Sequence, residues 1–496
     1  MHERYEDSKI KQIWSEENRL NLWQRTELAV IKAEAEVTGN PEIVAAYREI
    51  EEIWNANPID IKWWKERDDK IRHDLNAFLH ERIRHLSANL QKFVHKKITS
   101  YDTEEPAFAR MLIDSVEVTD ELYFAIEETL VGLARKYRHT IMNARTHGQE
   151  AELQSFGARC LTWKNDLEVA YMAVCMAMVN LGLSKISGAI GKYGSIDPRV
   201  EDRALEFLGF APFYGATQIM PRILYLPLAS ALCGVVLVLN KIALDVRLNA
   251  RSGRPLMREP FGKQQTGSST MPQKKNPNRC EKVEGMARMA KGFVGMIADN
   301  VVTWEERAIE QSCVERVAWP DLFHVVAHSL RVMNGVLSGL VVYPENMLRE
   351  VHESRGTYAA SEAKEFLKDK LAPLGIGHED AYRIVQLACF NVFTPSSGWL
   401  AIRESVVESY GEAALFLEEV SRMEPEEIVS IREFVPEAKL LVTDELDLSD
   451  DQVAHYNDYL GKVFANDDNL KEWRKLFEPS FLLQNESLLY EKILGE

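Results

Sequence analysis

The chain has 496 residues, enough for two to four domains at about 100 to 200 residues each, with cores that need no disulfide or metal staples. It is 46% hydrophobic and 27% charged, as expected of an ordinary globular fold, and its 26 glycines are too few for a turn-rich sandwich or propeller, so helix is the expected state. A formal charge of −17 repels nucleic acid and anionic membrane; neither is an expected partner, and any polyanionic ligand must meet a local cluster of cations.

Six cysteines (Cys160, Cys175, Cys233, Cys280, Cys313 and Cys389) show no CxxC pair and no zinc spacing, the pattern of reduced thiols in a cytoplasmic protein without a structural metal. The N-terminal MHERYEDSKIKQIW carries charges where a signal peptide needs an apolar run, so export is not expected.

In VEVTDELYFAIEETLVGLARKY, residues 116–137, Leu122, Ile126, Leu130, Leu133 and Tyr137 recur at steps of three and four, which predicts a helix with one apolar face. Thr119 and Asp120 are its expected N-cap. A second helix is predicted over 156–183, apolar on more than one side. A third spans 224–249; its run LYLPLASALCGVVLVLN is broken by Pro227 and falls short of the roughly 20 residues a membrane crossing needs, so it is expected at the centre of a bundle. A fourth covers 281–299. Helices of about 25 residues are near 38 Å long and bury such wide faces only against one another. Alternating runs are almost absent, and SGAIGKYG, residues 187–194, fits neither a P-loop nor a dinucleotide motif and reads as a turn between helices. Connections are expected near Pro106 and at VVYPEN, residues 341–346. The chain then becomes acidic at DELDLSDDQ, residues 444–452, and ends, beyond Asp468, in one or two appended helices.

Between the third and fourth helices lies GKQQTGSSTMPQKKNPNRCEKVEG, residues 262–285. Its prolines and glycines exclude a helix interior or central strand, and its length leaves two readings, a disordered linker or a lid over a site. The variety of groups, hydroxyl, ammonium, amide and the Glu281 carboxylate, favours the lid: these are parts for holding and deprotonating a carboxylate substrate. Other candidates are weaker. His324 and His328 are spaced i, i+4, but LFHVVAH lacks the glutamate of HExxH, so no metal site is expected.

The string GSSTMPQKKNP resembles the GSSxMPxKxNP loop of the fumarase/aspartase superfamily, whose members cleave C–N or C–O bonds by β-elimination. Six further stretches are similar to that family in the same order: the Arg4–Tyr5 opening, RHDLNAF, HKKITSYD, NARTHGQ, ATQIMPR and WEERAIEQSCVERVAWPD. The likeness runs from Arg4 to about Ala465 and is strongest to the branch that cleaves succinylated purine nucleotides. Three departures stand out: MPQKKNP is closer to the loop of the argininosuccinate-cleaving branch, Lys97 occupies the place of a glycine in the HxGxTSxD pattern, and Ile223 follows Arg222 where an acidic residue is usual.

The resemblance implies an all-α, three-domain fold (1–108, 109–350 and 351–496) whose long central helices form the core of a homotetramer, with active sites shared between chains. It implies Ser268 as the base that removes a proton from the succinyl carbon; the residues alone do not choose between Ser268 and Ser269. It implies His147 as the acid for the departing nitrogen, His73 as the group that orients it or contacts substrate, Glu281 as a further partner, and Lys274 and Asn276 as the groups that meet the dianionic aci-carboxylate. Substrate contacts are implied for Arg72, Asp74, His95, Thr99, Ser100, Thr146, Gln218, Ser269 and Met271. The nucleotide phosphate is assigned to Arg307, Ser312 and Arg316, with Arg4 and Tyr5 as a second contact. Lys275 is left unassigned, as a solvated side chain. Acid–base elimination needs no cofactor, and none is expected. A relative acting on a non-nucleotide succinate, aspartate or carboxymuconate is the rival reading; an inactive helical structural protein is the other, against which Ser268, Lys274, His147 and Glu281 together speak.

Overall fold

The computed structural model describes residues 1–393 and 448–496; of the acidic stretch at 444–452, residues 444–447 lie outside the described residues. The helices are α1 (Ser8–Ile13), α2 (Glu16–Thr38), α3 (Pro41–Ala56), α4 (Ile61–Ile71), α5 (Asp74–Ile83), α6 (Ala88–Gln91), α7 (Ser100–Lys136), α8 (Phe156–Leu181), α9 (Pro198–Leu208), α10 (Leu226–Asn249), α11 (Asn278–Asp299), α12 (Glu310–Leu337), α13 (Pro344–Glu353), α14 (Ala360–Leu371), α15 (His378–Phe393), α16 (Asp450–Phe464), α17 (Asp467–Lys475), α18 (Pro479–Leu482) and α19 (Ser487–Leu494). The main strands are β1 (Ile141–Thr146) and β2 (Gln149–Ser155). The chain forms two compact units: Met1–Thr129 with Asp166–Arg247 and Glu259–Gly339, and Leu130–Asn165 with Leu248–Arg258 and Leu340–Glu496.

In the first unit, the long helices begin and end where local chemistry dictates. Ser15 caps α2 by accepting from the Asn18 N–H, and Gly39 closes it in the left-handed region at φ 61°. Helix α10 starts at Leu226, which makes Pro227 a second-position proline rather than an interruption, because the N–H it lacks has no partner in a first turn. With the preceding single turn, the helical stretch 222–249 is long and apolar enough to cross a membrane by length and composition, but half of it is buried within the protein. Leu228, Leu232, Val235, Leu239 and Ile242 are among its residues with almost no exposure.

Helix α7 corrects two expectations. It begins at Ser100 and runs through Pro106 without a break, so there is no connection at that proline, and Thr119 lies inside the helix with its hydroxyl donating to the Val116 carbonyl at 2.8 Å. One lost backbone hydrogen bond two turns into a 37-residue helix is outweighed by the apolar residues that follow it, Ala107, Ala109 and Leu112, all essentially buried.

In the second unit, β1 and β2 pair as an antiparallel hairpin from Thr146↔Gln149 to Ile141↔Ser155, with an irregularity between Asn143 and Arg145. The expectation that alternating structure is nearly absent overlooked it. His147 and Gly148 form its two-residue turn with φ of 55° and 80°, the left-handed pair a tight hairpin turn demands. The core of this unit joins Leu153 of the hairpin to Tyr358, Phe366, Trp473 and Phe477. The C-terminal helices are therefore part of that core. Tyr490 sits against Gly157, where a Cβ would lie 2.2 Å from its oxygen, and donates to the Ala134 carbonyl at 3.2 Å; Glu486 accepts the Ser155 N–H at 2.8 Å.

Candidate active site

The polar loop of the first unit, residues 262–277, has no regular structure and is largely exposed, but it is tied at both ends. The Glu259 carboxylate, 5% exposed, accepts the N–H groups of Arg279 (3.2 and 3.1 Å) and Cys280 (3.1 Å) at the start of α11, a stabilising place for a negative charge. Gly267 packs so closely on the Lys274 carbonyl that a Cβ would stand 1.9 Å from its oxygen. The Asn276 amide donates to the Gly267 carbonyl at 2.9 Å, closing the same pinch.

Within the pinch, the Ser268 hydroxyl oxygen accepts the backbone N–H groups of Thr270 at 3.3 Å and Met271 at 3.1 Å. Two donors aimed at one oxygen stabilise negative charge on it. Gly267 thus acts by making room, while the donors come from the residues after the serine; this geometry separates Ser268 from Ser269. The Ser269, Met271 and Lys274 side chains face solvent. Lys275 lies over the Phe261 ring at 5.6 Å. Glu281, on the first turn of α11, pairs with Arg247 at 3.4 Å.

The other motif residues of this unit form a connected polar system. His95, at φ 51°, is held by Glu27 through its backbone N–H (3.0 Å) and ring Nδ1 (2.8 Å). Burial works against its charged form, but the Glu27 hydrogen bond and charge win and raise its pKa. Lys97 adopts φ 68°, a conformation its family glycine would take freely, and its ammonium reaches the Ser195 carbonyl at 2.9 Å. The Thr99 N–H donates to Asp102 at 2.8 Å just before Ser100 opens α7. Asp102 also forms a fully buried ion pair with Lys185 at 2.7 Å and accepts the Gly188 N–H. Lys185 continues to the Gln218 carbonyl at 2.9 Å; the Gln218 side chain donates to Ala189 and accepts from Arg307 at 2.9 Å, and the Arg307 guanidinium lies 4.2 Å over the Tyr101 ring.

Beside Tyr101 opens a cavity of about 140 Å³, continuous with solvent, whose lining includes Trp14, Arg19, Glu104, Ser312 and Arg316. Arg316 donates to Asp74 at 2.5 Å, and Arg19 stands 3.8 Å from the same carboxylate. Asp74 follows Arg72, which ends α4 at φ 56°, and His73, which caps α5 through Nδ1. At its base Arg222 joins Glu315 (2.7 and 3.1 Å) and Glu105 (2.5 Å), and Glu105 also accepts from Tyr225 at 3.2 Å. Burial raises the pKa of Glu315, against which Arg222 pulls. Arg19, Glu104, Glu105, Lys185, Arg222 and Glu315 were not singled out as site residues; their one signal in the sequence was a charge among apolar neighbours, on helices for Arg19, Glu104, Glu105 and Glu315 and in connections for Lys185 and Arg222.

Arg4 and Tyr5 do not line this cavity. Tyr5 meets His328 edge-on at 5.3 Å, about 18 Å further along α12 than Arg316 at 1.5 Å per residue. His324 accepts the Asp7 N–H at 2.9 Å, an ordinary structural role, and among the described residues no group of three ligand-type side chains could hold a metal.

In the second unit, Thr146 and His147 stand exposed at the hairpin tip. The strand behind them is braced by α13: Arg145 pairs with Glu350 at 2.8 Å and with Glu150 at 3.3 Å, and the Asn143 amide donates to the Glu350 carbonyl at 3.2 Å.

A family profile described as lyase matches residues 1–292. The adenylosuccinate lyase of Thermotoga maritima is 33% identical over 78% of this chain and 87% of that protein, that of Aquifex aeolicus 32% over 88% and 98%, and that of Pyrococcus abyssi 31% over 84% and 91%. Among solved structures, a fumarate lyase from Mesorhizobium sp. BNC1 superposes with a TM-score of 0.71 at 21% identity over 92% of this chain and 98% of that one. A β-carboxy-cis,cis-muconate cycloisomerase from Acinetobacter calcoaceticus does so with 0.65 at 19% over 91% and 97%. At such identities these structures establish the fold.

Proposed function

The chain belongs to the lyase family of the fumarase/aspartase superfamily, in the branch of the adenylosuccinate lyases, and on that premise we propose how its residues eliminate fumarate from adenylosuccinate to leave AMP. The corresponding cleavage of SAICAR to AICAR is part of the proposal.

Ser268 takes a proton from the succinyl carbon beside a carboxylate. The electron pair moves into that carboxylate, where the Lys274 ammonium offsets the second negative charge. The C–N bond then breaks and His147 protonates the departing nitrogen, so that fumarate and the free amine leave with all protons accounted for. The observation that carries this assignment is the pair of N–H groups on the Ser268 oxygen, which lowers the cost of the alkoxide that a serine base requires. Arg307, Ser312 and Arg316 receive the phosphate, and the remaining motif residues hold the loops around it.

We further propose a homotetramer with shared sites. Its support is an apolar stripe that none of the described residues covers: Val169, Met172, Met176 and Val179 recur at helical spacing on α8, the last two 74% and 76% exposed, with Phe124 on α7, Leu237 and Leu244 on α10 and Met289 and Met296 on α11. In such an assembly Arg4 and Tyr5 serve the phosphate of a neighbouring copy.

The test is ultraviolet absorbance on adenylosuccinate and on its dephosphorylated nucleoside. Ser268→Ala is expected to lower kcat by about 10²–10⁴-fold with the tetramer intact by light scattering. An undiminished rate would overturn the loop assignment, and equal turnover of the nucleoside would remove the role given to the arginines.

A further inference from the structure

Around the Tyr101 cavity the charges do not favour a phosphate. Arg19, Arg222, Arg307 and Arg316 are opposed by Glu16 on α2, Asp74 on α5, Glu104 and Glu105 on α7 and Glu315 on α12; Asp68 on α4 also faces Asp74, Arg19 and Arg316, but from outside the cavity lining, where it is partly exposed and screened by water. Fully ionised, four cations against five carboxylates leave a net negative site, which repels a phosphate monoester. One carboxyl must give way, and the contacts identify it. Glu105 and Glu315 share Arg222, Asp74 is bound by Arg316 and held below the usual carboxylate range despite its burial, and Glu16 pairs with Arg19. Glu104 lines the cavity with Ser312 and Arg316 and has no ion pair within 4 Å among the described residues.

We propose that nucleotide binding at this site is coupled to uptake of one proton by Glu104, whose neutral form lets Arg19, Arg307 and Arg316 act together on the phosphate. The inference rests on the phosphate role given above to Arg307, Ser312 and Arg316. Burial, aided by the charge of Asp74, pushes Glu104 up to about 7 against the pull of the three arginines, so the bare site stands near half-protonation at neutral pH. A bound dianion disfavours the carboxylate further and draws the proton on. The sign follows: affinity is full below about pH 7, where the carboxyl is already neutral, and falls by up to about tenfold per pH unit above it. The ligand's own second ionisation, near pH 6, is complete in that window.

The experiment is calorimetric binding of AMP and of adenosine to the intact protein between pH 7 and 8.5, in buffers of different ionisation enthalpy, for the wild type and Glu104→Gln. For the wild type, AMP affinity is expected to fall with pH and proton uptake to approach one per nucleotide. Glu104→Gln is expected to show neither, and comparison with it removes any contribution of His73 and His147. Adenosine should be insensitive to pH in both. AMP binding no tighter than adenosine would overturn the phosphate role of the arginines and the coupling with it. Tighter AMP binding without proton uptake, or with the wild-type pH dependence retained in Glu104→Gln, would overturn the coupling alone. Should that variant fail to fold, Glu104→Leu takes its place, and absence of proton uptake in the wild type overturns the coupling by itself.

Discussion

The loop at 262–277 and the charges around Arg222 are built from similar side chains under opposite constraints. In the loop, Lys274 and Ser269 face water, and the conformation rests on a few backbone contacts: the Gly267 pinch, the Asn276 amide and the Glu259 clamp on α11. Around Arg222 every charge is buried and has one arrangement that satisfies it. An exposed charge loses little when it moves, because water replaces its partner; a buried one loses its partner and keeps the desolvation cost. The loop can thus rearrange at little cost, and the buried triad cannot.

Breaking the rigid side should cost most. Arg222→Ala leaves Glu105 and Glu315 buried without their cation, and a loss of about 3–5 kcal/mol is expected in urea unfolding; a loss under 1 kcal/mol would mean that water enters and the triad is not rigid. On the loop, Gly267→Ala drives a methyl into the Lys274 carbonyl. Gly267 is buried and the clashing atom is backbone, so the loop must shift; a stability loss of about 1–2 kcal/mol is expected, while kcat falls about 100-fold because the serine is displaced from its donors. Equal damage to both quantities would erase the contrast. The smallest effect is expected at Lys97, which holds φ 68° for the sake of one exposed contact to Ser195. Lys97→Gly should raise the thermal midpoint slightly, by about 1 kcal/mol or less of stability.

How far each feature could be read in advance depended on its range along the chain. The helices at 156–181, 226–249 and 278–299 followed from local periodicity, and the loop between the last two from its prolines and glycines. Pro106 misled because a proline is weighed locally, whereas packing of the rest of α7 decided whether the helix continued. The hairpin had its signal in His147–Gly148, but a turn residue other than asparagine or aspartate, and a bulge in the ladder, hid the alternation. The C-terminal helices could be anticipated as helices; that Trp473 and Tyr490 complete a core could not.

By itself, the sequence determined the helical class, the polar loop between two long helices and the order of the family motifs, all of which depend on residues close together in the chain. Only the tertiary structure decided which charges are buried. Asp102 and Lys185, or Glu105 and Arg222, become partners because folding removes water from both at once, and the cavity carboxyl left without an ion pair among the described residues, Glu104, is visible only when the others have been matched. Charge in water carries little information about its partner; charge out of water must have one.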